Sequence, residues 1–218
     1  MHLLEAWTSL GPFHLARLLA LPGAMLVAVL LPGRTLARGA ALVGAAGVLL
    51  LPELAVPWWT RAAWVLLWFV IAWQSGRPDT SDGDATPARR RGVEAGAVAL
   101  PLGLALLALM LAAVWRQTFE PDDARRASLG ALLVGLGLLH LMMRRHVRRA
   151  VLAVGALGVG LELLTASARA ADVVREGAPA GTAWLAALLA ITLVVRVADG
   201  RARYAGSVFV SDAHELQD

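Results

Sequence analysis

The residue with the clearest chemical potential is Glu162, which lies inside the apolar run Ala150–Ala168, with Gly158 and Gly160 before it and Leu161, Leu163 and Leu164 around it. In hydrocarbon, an ionised carboxyl must face a cavity or a partner cation, and otherwise it stays neutral. An acid in such a place is a natural candidate for passing protons. The structural alternative is that Glu162 reaches the interface about one to two turns away, or pairs with Arg169 at i+7.

Other ionisable residues are less sharply placed. Glu53 follows Pro52 at the end of an apolar run, and Glu94 follows the Arg89–Arg91 triplet, so both read as interfacial. Arg196 lies near the inner end of the last run, where it can snorkel to water, pair with a carboxylate or bond to a neighbouring subunit. His140, close to Met142 and Met143, reads as a packed or hydrogen-bonded residue. A b-type haem needs two imidazoles meeting at one iron. His14 and His140 fall towards opposite leaflets, His146 sits in an arginine cluster, and His2 and His214 belong to the terminal segments. With no cysteine there is no thiolate metal or iron–sulfur site. The sequence also lacks Gly-x-Ser-x-Gly, His-Glu-x-x-His and a phosphate-binding glycine loop. The expectation is a chain with no catalytic centre, no metal and no cofactor of its own.

The elements that position these residues are read from composition and periodicity. Of 218 residues, 58% are hydrophobic and 17% charged, and the mean hydropathy is +0.65. That is more apolar surface than one soluble core hides, and a bilayer is its natural solvent. Every basic residue is an arginine. Because the arginines gather at the ends of apolar runs, the basic balance speaks for headgroups and against nucleic acid. The amino-terminal segment carries Glu5 and no arginine before Arg17, so the first run is expected to be a retained helix and not a cleaved signal.

Seven apolar runs follow one another: Leu15–Leu31, Gly39–Val56, Trp58–Gln74, Val93–Trp115, Ala127–Met143, Ala150–Ala168 and Gly181–Ala198. Most approach the roughly 17–25 residues needed to cross a bilayer. Pro22, Pro32, Pro52 and Pro57 interrupt the first three, so six spans, or one re-entrant pair, is the alternative count. The expected fold class is an all-α polytopic transmembrane bundle. A three-helix half over residues 1–74 is joined by a polar linker, 75–92, to a four-helix half over 93–198, and a tail of 199–218 follows. Alternate connections hold twelve arginines on one side and seven, mixed with acids, on the other. The positive-inside rule then places the amino terminus outside and the carboxyl terminus in the cytoplasm, in a bacterial inner membrane.

Packing signals accompany the runs. Gly130, Gly135 and Gly137, and Gly155, Gly158 and Gly160, let helix backbones approach closely. Trp58, Trp59, Trp64, Trp68 and Trp73 crowd the third run. Those at its ends suit interfacial anchoring, and those within it suit lipid or a neighbouring subunit. No internal repeat is visible and few polar residues line a path, which disfavours an independent transporter.

Residues Gly130 to Asp218 resemble the last three helices of hydrogenase-4 component E, a relative of the complex I subunit K family of energy-converting hydrogenases. The resemblance is carried by the helix, basic turn and re-entry LLVGLGLLHLMMRRHVRRAVLAVGAL, by Glu162 inside the next helix, and by the tail LVVRVADGRARYAGSVFVSDAHELQ. It implies a membrane-arm subunit working with antiporter-like and other integral membrane subunits, in lipid, with the redox centres held by other chains. It also implies that Glu162 contributes to proton translocation. Two departures stand against it: the glutamate comes about one turn later after the basic loop than in that family, and Trp184, Ala186 and Ala187 occupy the region where an acid is expected early in the last helix. The reading from another class is a purely structural or assembly subunit of a large membrane complex.

Overall fold

A computed structural model describes residues 10–30, 33–54, 56–77, 120–143, 147–170 and 181–204, with Trp7 and isolated positions between 101 and 112. The run Val93–Trp115 lies almost wholly outside the described residues, as do most of the 75–92 linker and the tail beyond Tyr204. Six helices are described: α1 (Pro12–Leu30), α2 (Arg34–Leu50), α3 (Trp58–Gly76), α4 (Pro121–Met143), α5 (Ala150–Ala170) and α6 (Thr182–Tyr204). A single 3-10 turn, Val147–Arg149, leads into α5. No strand occurs among the described residues.

Four of these helices are long and apolar enough to cross a membrane: Pro12–Leu30, Pro121–Met143, Ala150–Ala170 and the Thr182–Arg201 part of α6. At 17 residues α2 is shorter, about 25 Å, and α3 carries Arg61 among its aromatic side chains. The boundaries follow local chemistry. Pro121 opens α4 with Asp122 and Asp123 in the first turn, where a fixed φ and negative charge both suit a helix start. Each acid pairs with the arginine three residues on, Asp122 with Arg125 and Asp123 with Arg126. The second run was expected over Gly39–Val56, but α2 begins at Arg34 and ends at Leu50, ahead of Pro52. Arg61 closes that end, donating to the carbonyls of Leu54 at 2.7 Å and Leu49 at 3.3 Å. Pro22, expected as an interruption, is accommodated inside α1.

Contacts between elements sort the helix ends into two groups. Trp7, ahead of α1, donates to Ser128 near the start of α4 at 3.1 Å. Thr60, at the start of α3, adjoins Gly181 at the start of α6. At the opposite end, the stem of Arg38 in α2 lies against Gly76 at the end of α3, and Arg148 pairs with Asp199 of α6 at 3.2 Å. Arg34, Arg38, Arg77, Arg148, Arg149, Arg201 and Arg203 belong to this second end, whereas Glu53, Glu120, Asp122 and Asp123 belong to the first. Helices consecutive in sequence therefore run antiparallel except α3 and α4, which run in the same direction, and the second end is the richer in arginine, while the first mixes its acids with Arg61, Arg125 and Arg126.

One core draws on all six helices. The most extensive pair is α4 with α5, followed by α2 with α3. Gly130 and Gly160 lie at the first pair's closest approach: a Cβ on either would fall 2.8 Å from the other's carbonyl oxygen. Gly137 repeats the pattern against Ala153 and Leu157, and Gly135 is buried on the same helix. The tryptophans of α3 divide into two sets. Trp58, Trp59 and Trp73 are exposed near the ends, in keeping with interfacial positions. Trp64 and Trp68, expected to face lipid or another subunit, are instead completely buried. Trp68 fills the space that Cβ atoms on Gly44 of α2 and Gly155 of α5 would need, and Trp64 does the same at Gly158. The glycines of α5 thus have two tasks, admitting α4 on one face and the large rings of α3 on another. Outside this core, Leu185, Leu189, Leu193 and Val197 form an exposed apolar stripe along α6 at i+4 spacing.

Candidate functional site

Glu162 is 3% exposed, and its Oε2 has no hydrogen-bond partner among the described residues. Its surroundings follow from the packing just described. Gly158, one turn earlier on α5, receives the ring of Trp64 from α3 and comes close to Ala187 of α6. One turn further along the bundle, the same three helices present Glu162, Thr60 and the first residues of α6. The backbone amide of Gly181 at the start of α6 lies near the Glu162 carboxyl. Arg169, the cation of the structural alternative, stands seven residues further along α5, about two turns or ~10 Å from Glu162.

Gly181 marks the start of α6 with φ of 101°, a backbone conformation that an L side chain rarely adopts. Its carbonyl accepts the first helical bond, from the amide of Leu185 at 3.1 Å. A Cβ built on Gly181 would stand 3.5 Å from Thr60 Cγ2 and 3.9 Å from Thr60 Oγ1. Thr60 is buried, and its Oγ1 also has no hydrogen-bond partner among the described residues. The indole Nε1 of Trp64 and of Trp184 share that condition. Buried polar atoms of this kind cost about 1–3 kcal/mol each when unsatisfied.

The amino end of a helix carries free amides and the positive end of the macrodipole, which stabilise a carboxylate. The residues next to Glu162 on α5, Leu161, Leu163 and Leu164, are apolar and offer it no polar partner. Chemically the arrangement can hold a proton and release one. Among the described residues, no group of three His, Asp or Glu side chains is arranged to hold a metal ion.

The remaining candidates do not converge on this place. His140 is buried in the last turn of α4, at the opposite end of the bundle from the start of α6. Arg196 is exposed on α6, near the arginine-rich end. Glu53 is half-buried in the turn after α2, with Oε2 lacking a hydrogen-bond partner among the described residues. Gly155, Gly158 and Gly160 flank the site by admitting α3 and α4, and Gly130, Gly135 and Gly137 lie on α4 behind it. Thr60, Gly181 and Asp199 were missed by the sequence reading. Gly181-Thr182 before an apolar run is a recognisable helix-start signal, and Asp199 is an acid placed among arginines. Thr60, a small hydroxyl beside Trp58 and Trp59, carries no such signal.

The chain matches no family model, and no curated protein and no solved structure shows detectable similarity to it.

Proposed function

We propose that this chain is a membrane-arm subunit of a complex I-like or energy-converting hydrogenase-like assembly, and that Glu162 takes part in moving protons through it. The observation that carries the reading is the burial of Glu162 at the amino end of α6, beside Thr60 and the Gly181 amide. A buried carboxyl in an apolar helix, near the start of a second helix, is a setting in which an acid can exchange protons. The resemblance of residues 130–218 to the hydrogenase component supplies the assembly, and redox chemistry is left to other chains.

The seven-span count and the orientation belong to the same proposal. Helix α3 ends at the arginine-rich end of the bundle and α4 begins at the opposite end, so the chain between them has to join opposite faces. A span over Val93–Trp115 would do so. With the arginine-rich end in the cytoplasm, the amino terminus lies outside and the carboxyl terminus inside.

A second reading is favoured by the Gly181 contact itself: Glu162 serves only to cap α6, and the chain is a structural subunit. Glutamine keeps an acceptor for that amide but cannot carry a proton. In Glu162→Gln, lost proton translocation with intact assembly supports the first reading, and unchanged translocation leaves the second. Affinity purification from native membranes tests the assembly. Antiporter-like subunits are expected among the co-purifying chains, and transport by the reconstituted chain alone would overturn both subunit readings.

A further inference from the structure

A groove of about 540 Å³ opens between α2 and α3 at the arginine-rich end, lined by Arg38, Leu42, Phe69, Trp73, Gly76 and Arg77 among others. Its two charges are held by different devices. Gly76 has no side chain, so the stem of Arg38 can lie across it; a Cβ there would be 3.2 Å from Arg38 Cδ. The Arg77 guanidinium sits over the Trp73 ring, 5.8 Å from its centroid. Neither arginine forms an ion pair with a carboxylate among the described residues. Leu42 lies one helical turn, about 6 Å, deeper than Arg38, and Phe69 two turns, about 12 Å, deeper than Arg77; both are exposed.

The sequence of groups along the groove is therefore two cations, an amphipathic indole, then aliphatic and aromatic walls. We infer that this groove binds one anionic phospholipid, with its phosphate between Arg38 and Arg77 and its acyl chain along Leu42 and Phe69. The inference rests on the membrane reading. A guanidinium pair recognises a phosphodiester through charge and forked hydrogen bonds. A basic recess between spanning helices on the cytoplasmic side is a place where such headgroups lodge. The apolar depth selects a lipid over a free phosphate, which would leave Leu42 and Phe69 uncovered.

The test uses the full chain reconstituted in phosphatidylcholine bilayers containing a small fraction of brominated lipid, with tryptophan fluorescence as the readout. Brominated phosphatidylglycerol should quench more strongly than the same fraction of brominated phosphatidylcholine, and Trp73→Phe should remove that excess. Each arginine should contribute roughly fivefold to the preference. Arg38→Gln with Arg77→Gln should abolish it, and lysine at both positions should retain most of it. Equal quenching by the two lipids in the wild-type protein overturns the site, as does a preference that survives the double glutamine change. Relief of the excess by inorganic phosphate would overturn the lipid assignment. Absence of quenching by either lipid would instead defeat the membrane reading.

Discussion

Gly130 of α4 and Gly160 of α5 face each other so closely that a methyl group on either would stand 2.8 Å from the other's carbonyl oxygen. The obstacle is backbone, which cannot swing aside like the end of a flexible side chain. Gly160→Val should therefore lower stability by about 3 kcal/mol, the upper end of ordinary overpacking. Gly39→Ala, in a helix position with nothing within 4 Å, should be neutral or stabilising by about 0.5–1 kcal/mol. Thermal unfolding of the detergent-solubilised protein compares the two, and equal effects would contradict the close-packing account.

Trp64 and Trp68 fill notches made by glycines on other helices, and removing either ring leaves a cavity bounded by at least two helices. Trp68→Ala should cost about 3–5 kcal/mol, as large-to-small changes in a rigid core do. Trp73→Ala, at an exposed position, should alter unfolding little in detergent. A loss at Trp73 equal to that at Trp68 would place the core elsewhere.

These two cases also mark what was legible in the sequence. Hydropathy located α5 and the carboxyl end of α4 closely, because apolar runs end where polar residues begin. It missed polar first and last turns, so α4 starts at Pro121 rather than Ala127, and α6 continues to Tyr204 rather than stopping at Ala198. Inside a bilayer-sized run, a tryptophan facing lipid and one facing protein have the same hydropathy. The burial of Trp64 and Trp68 depends on Gly44, Gly155 and Gly158, which are distant in sequence. Glu162 announced itself by being charged in an apolar run. Its companions Thr60 and Gly181 became visible only when α3, α5 and α6 were brought to one level.

Gly181→Ala should destabilise the start of α6 by about 1–3 kcal/mol, since its φ of 101° is unfavourable for an L side chain. The nearest atoms, on Thr60 and Trp59, are at ordinary contact distance, so the cost comes from backbone conformation and not from crowding. Hydrogen exchange of the first turn of α6 should accelerate. Unchanged exchange in Gly181→Ala would remove the case for a strained helix start beside Glu162.

Arg148 and Asp199 pair at 3.2 Å across the turn before α5 and the end of α6. Asp199 is more than one-third exposed, so solvent screening limits the coupling to about 0.2–1 kcal/mol. A double-mutant cycle with Arg148→Gln and Asp199→Asn should return a value in that range that shrinks with added salt. A salt-independent coupling of several kcal/mol would mean that the pair is shielded from water.

Proton translocation by the intact assembly in sealed membrane vesicles is the measurement that bears on the Glu162 carboxyl. Wild-type chain and Glu162→Gln are compared at matched assembly and matched unfolding temperature, so that the amide contact to Gly181 is preserved while the titratable proton is lost. Glu162→Gln is expected to reduce translocation sharply, and Glu162→Asp to restore part of it. Full translocation by Glu162→Gln would contradict the proton role and leave Glu162 as the cap of α6.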